Sequence, residues 1–156
     1  MSNFIYGNII CNDISQATNS KIDSCMVKFC LDNDFAIHFI ESIPTKDTRR
    51  DISFQLSDNF LIRYCECFME PIVYTMDNEA LLDSISKDLK KISGLVNLIF
   101  SFEFVDKVEF RFSSPEVDES DYKICKTNLN EFGQLLLHEY LSSPCFPTIK
   151  VKLRKN

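Results

Sequence analysis

The sequence predicts an α+β fold, an antiparallel or mixed sheet of about six strands with two helices packed on one face. Three observations lead there. The first half alternates apolar and polar residues with the period of strands. Two later segments switch to the helical period. The composition, 45% hydrophobic with only 3 Gly and 5 Pro in 156 residues, suits one well-filled core and not a linker-rich chain. Residues 1–156 are therefore expected to form a single domain, with a core rich in aromatic rings: Phe occurs 14 times and Trp is absent.

Taken in order, "NFIYGNIIC" (3–11) reads as the first strand. "IDSCMVKFCL" (22–31) alternates Cys25, Val27, Phe29 and Leu31 onto one side, and "FAIHFIESI" (35–43) does the same with Phe35, Ile37, Phe39 and Ile43. The "DND" between them is a turn signal, so these two segments are the best hairpin candidate. "ISFQL" (52–56) follows a polar loop, and a further strand is read in 60–76.

At Asp77 the period changes. Leu81, Ile85, Leu89, Ile92, Val96 and Ile99 fall on one helical face, with "SKDLKK" as the wet side. Gly94 weakens this helix by about 1 kcal/mol relative to Ala, or else admits a close approach to the sheet. "KVEFRF" (107–112) is a strand with one wet face. Asn128 with Glu131 resembles a capping box and opens a second helix through Leu129, Phe132, Leu136 and Tyr140. "TIKVKLR" (148–154) closes the chain, and its alternating Lys150, Lys152 and Arg154 suit a protected edge strand.

The only close cysteine pair is in "LIRYCECFME", where Cys65 and Cys67 flank Glu66. In a strand these thiols share a face with Leu61 and Met69. A structural zinc site needs four ligands, typically in C-x2-4-C pairs, and no second such pair completes one. A thioredoxin-like motif needs C-x-x-C. Structural cysteines are the favoured reading, with metal and redox roles as the alternatives. His38 and His138 leave room for a Cys–His pair meeting in space. Nucleotide, hydrolase and zinc-protease motifs are missing from the sequence, so an enzyme is not expected and no cofactor is assigned.

Charge narrows the partners. The chain carries 17 Lys+Arg against 23 Asp+Glu, a net −6. That disfavours nonspecific nucleic-acid binding, which needs a basic surface to displace counterions. It suits a basic protein partner. "EVDESD" gathers Glu116, Asp118, Glu119 and Asp121 into one loop, the candidate partner-binding residues. No apolar run is long enough to span a bilayer, the start of the chain lacks the pattern of a signal peptide, and seven cysteines make an odd count. A cytoplasmic location with free thiols and no membrane partner is expected.

The whole-chain profile, a β-rich first half, a helix from "DNEALL", then "KVEFRF" and "NLNEFGQLLLHEYL", resembles the immunity proteins of bacterial toxin systems, including those of contact-dependent growth inhibition. The resemblance implies a protein that binds a cognate toxin, often a basic nuclease, and blocks its active site or substrate entry. The class I type III secretion chaperones are similar in size, acidity and α+β character, but their pattern opens with a helix where a strand is read here. A small Cys/His enzyme is the third reading.

Overall fold

The computed structural model describes residues 4–12, 21–40, 50–57, 78–113, 122–142 and 148–155. Among them the chain runs β1 (Phe4–Cys11), α1 (Ile22–Asp32), β2 (Ala36–Ile40), β3 (Arg50–Ser57), α2 (Asn78–Phe100), β4 (Val105–Ser113), β5 (Lys123–Asn128), α3 (Leu129–Ser142) and β6 (Ile149–Arg154). This is an α+β fold built on one six-stranded mixed sheet, ordered β2-β3-β1-β4-β6-β5. Neighbours are antiparallel except β5 and β6, which are parallel. The first six elements follow the split β-α-β order of ferredoxin-like sheets. The β5-α3-β6 unit extends that sheet beyond β4.

The alternation of the strands decides which side is the core. Ile5, Ile9 and Cys11 of β1, Phe54 and Leu56 of β3, Val108, Phe110 and Phe112 of β4, and Ile149, Val151 and Leu153 of β6 are all buried. They face the apolar stripes of the helices: Ile22, Met26 and Cys30 of α1, Ile85, Leu89, Ile92, Leu95, Val96 and Ile99 of α2, and Phe132 and Leu136 of α3. All belong to one hydrophobic cluster. At about 1.5–3 kcal/mol for each large apolar side chain removed from water, this cluster is the main force holding the sheet to the helices.

Aromatic rings tie the layers together. Phe54 meets Phe110 edge-on at 5.9 Å and 84°, and Phe110 stacks on Phe132 of α3 at 5.7 Å and 18°. Phe54 reaches Phe110 by crossing β1 at Gly7, which pairs with both. A Cβ at Gly7 would overlap the Phe54 ring.

Several expectations change. Residues 22–31 form α1 and not a strand, because Ile22, Met26 and Cys30, spaced by four, are the buried positions, while Val27 and Leu31 stay exposed. The sheet is therefore covered by three helices. The hairpin expected between 22–31 and 35–43 is replaced by a pairing of β2 with β3. "DND" does turn the chain, but it ends a helix: Asn33 donates from Nδ2 to the Phe29 carbonyl at 2.8 Å, and Asp34 takes φ 64. Gly94 admits a close approach of Phe29 from α1, not of the sheet. Asp88, read on the wet side of its helix, is buried, with Lys91 3.5 Å away. β6 is internal, lying between β4 and β5, so the edge on that side is β5, a strand the sequence reading omitted. The strand read in 60–76 lies outside the described residues.

The expected capping box has its first half in place: Asn128 Oδ1 accepts the Glu131 N–H at 3.1 Å and starts α3 directly from β5. Lys123 at the start of β5 donates to Glu139 of α3 at 2.6 Å, tying strand to helix. Lys155 donates to the carbonyls of Phe102 and Val105, fixing the end of β6 against the α2–β4 turn.

Candidate functional site

Since α1, α2 and α3 lie on one side, the other face of the sheet has no helix over it among the described residues. The residues that alternate with the core positions make up this face. Reading along the register from β2, one row is His38, Gln55, Tyr6, Arg111, Lys150 and Ile124. The next is Ile40, Ser53, Asn8, Glu109, Lys152 and Lys126. A third holds Ile10, Lys107, Arg154 and Asn128.

Two zones result. Over β1, β3 and β4 a shallow depression of about 350 Å³ is lined by Tyr6, Gly7, Asn8, Ile40, Ser53, Glu109 and Arg111. Ser53 Oγ donates to Asn8 Oδ1 at 3.1 Å across its floor. Beyond it, the outward side chains of β4, β6 and β5 include Lys107, Arg111, Lys150, Lys152, Arg154 and Lys126 with the carboxylate of Glu109 among them, and Asp106 sits beside Lys107 where the β1–β4 register shifts. The six cations and Glu109 sum to +5. With −6 for the whole chain, everything else sums to −11. Net charge alone conceals this basic patch.

The register sets like charges side by side. Lys107 lies opposite Arg154, Arg111 opposite Lys150, and Lys126 beside Lys152, while Glu109 lies opposite Lys152. Like charges directly across a sheet are destabilising, and opposite ones contribute roughly 0.2–1 kcal/mol each.

Glu116, Asp118, Glu119 and Asp121 lie outside the described residues, as do Cys65 and Cys67. His38 is exposed on the open face of β2, whereas Cys11 and Cys125 point to the helix side, so the sheet separates them. His138 is exposed on α3. Burial pushes the Cys30 thiol up to about 12, and burial followed by the nearby Glu139 carboxylate raises Cys125. A nucleophilic cysteine needs the opposite shift, toward thiolate at neutral pH. Among the described residues no three His, Cys, Asp or Glu side chains converge as a metal site would require.

The basic half of the face was missed by the sequence reading. Its only signals were the alternation in "KVEFRF" and "TIKVKLR". Both strands place their cations outward, but nothing in the sequence sets the two strands side by side. No helix among the described residues is long and apolar enough to cross a membrane. Compared with known proteins, the chain matches no family model, no curated protein and no solved structure.

Proposed function

We propose that this chain is a recognition protein that neutralises a cognate protein toxin by covering its working surface, as the immunity proteins it resembles do. One observation carries the reading: a six-stranded sheet with three helices on one side presents on the other a broad, mostly polar face with no helix over it among the described residues. That face holds side chains suited to contact and steering, with the buried thiols placed behind it. The acidic remainder of the molecule, −11 outside the basic strands, attracts a partner with a basic surface and raises the rate of encounter. Glu116, Asp118, Glu119 and Asp121 are the proposed contacts with that basic surface.

The test is affinity purification of the full chain from its own host, with identification of what accompanies it. The captured protein should inhibit growth when produced alone in a test bacterium, and co-production of this chain should restore growth. A captured partner whose production harms nothing, or whose harm persists alongside this chain, contradicts the reading.

A further inference from the structure

The cationic surface of β4, β6 and β5 has chemistry of its own. Six cations lie around Glu109, and three cross-strand pairs set like charges side by side. Such an arrangement lowers the stability of the free protein and is relieved when anions settle between the strands. Along β6 the outward cations recur every second residue, at Lys150, Lys152 and Arg154. Twice the rise of a strand is roughly 6.6 Å, the same repeat that places alternate side chains of any extended peptide on one side. An extended segment with acidic residues at alternate positions, lying along β6, would meet these cations in step. Lys107 and Arg111 would flank it on one side and Lys126 on the other.

We infer that this face docks an acidic extended segment of the partner protein. The inference deepens the recognition reading by naming the partner's chemistry at the sheet. Two features favour peptide over nucleic acid. The outward positions of these three strands hold no aromatic side chain on which bases could stack. The repeat of roughly 6.6 Å along β6 is that of alternate residues in an extended peptide, and a short acidic segment lies within a Debye length, about 8 Å at physiological salt, of these cations.

The experiment uses the full chain and two fluorescent probes of equal length, a peptide of alternating glutamate and threonine and an oligothymidylate. The key variant is Lys107→Gln/Lys126→Gln/Lys150→Gln, which removes one member of each like-charge pair and keeps Glu109 opposite Lys152. The control, Lys28→Gln/Lys87→Gln/Lys90→Gln, makes the same change in net charge on the exposed helix surface. The parent and control should bind the peptide, more weakly as salt rises. The key variant should lose affinity by about tenfold or more while its low-salt Tm equals or exceeds the parent's.

Failure of the parent to bind the peptide overturns the proposal. So does equal binding by the key variant, or tighter binding of oligothymidylate than of peptide at matched salt. If the parent and key variant capture the same toxin equally well, this inference fails while the recognition reading survives. If the peptide results hold but the captured partner is harmless, the recognition reading fails and the docking chemistry stands.

Discussion

Glycines at two positions do opposite things in this protein. Gly7 sits under the Phe54 ring, which is wholly buried and held by Phe110, so the ring has nowhere to move. Gly7→Ala should destabilise by about 1–3 kcal/mol, read from denaturant midpoints at constant m. At Gly94 the nearest atom to an added Cβ is the tip of the Phe29 ring at 2.8 Å, and that ring is only half-buried. Gly94→Ala should be nearly neutral, since a gain of about 1 kcal/mol in helix propensity offsets the displacement of the ring. Cys30 gives a pH prediction. The unfolded thiol loses its proton near pH 9.0, while the folded one keeps it to about 12. The stability this group supports is full below pH 9.0 and falls away as pH rises toward 12. A Cys30→Ala variant should show a shallower alkaline decline in urea unfolding. The sequence revealed that rings would fill the core, because Phe is the dominant large residue. It did not reveal which glycine would lie beneath one, because that depends on β3 crossing to β4 over β1.

Elements were legible where one period dominates. The long stripe from Ile85 to Ile99 gave α2, and Asn128 with Glu131 gave the start of α3 to the residue. Asn128→Ala should cost about 0.5–2 kcal/mol through loss of the cap. Gly133→Ala should raise stability by up to about 1 kcal/mol, because an added Cβ meets nothing nearer than Ser93 Oγ at 3.8 Å. Thermal unfolding of the two variants tests both signs. Helix α1 was hidden because Cys25, Val27, Phe29 and Leu31 mimic alternation, while the fourfold spacing of Ile22, Met26 and Cys30 is equally present. Tertiary packing chose between the two patterns by burying the second set. Strand β5 was missed because Cys125 is its sole buried residue, so no alternation marks it. The same strand displaced β6 from the edge. Lysines that resemble edge protection in the sequence are, in the sheet, the middle of a cationic face.

At the scale of the molecule, net charge was a poor guide to the surface. A chain of −6 suggests an acidic field suited to a basic partner, yet its sheet carries +5 on three adjacent strands. A basic patch of this kind steers and orients an acidic partner before contact. It follows that association should slow as salt rises, and that removing sheet-face cations should alter the partner's affinity more than removing an equal number of helix cations.

The most direct measurement is lysine acetylation footprinting of the chain alone and in complex with its captured partner. The account predicts that Lys107, Lys126, Lys150 and Lys152 lose reactivity on binding, while Lys28, Lys87 and Lys90 keep theirs. Protection of the helix lysines with the sheet lysines still reactive would contradict it.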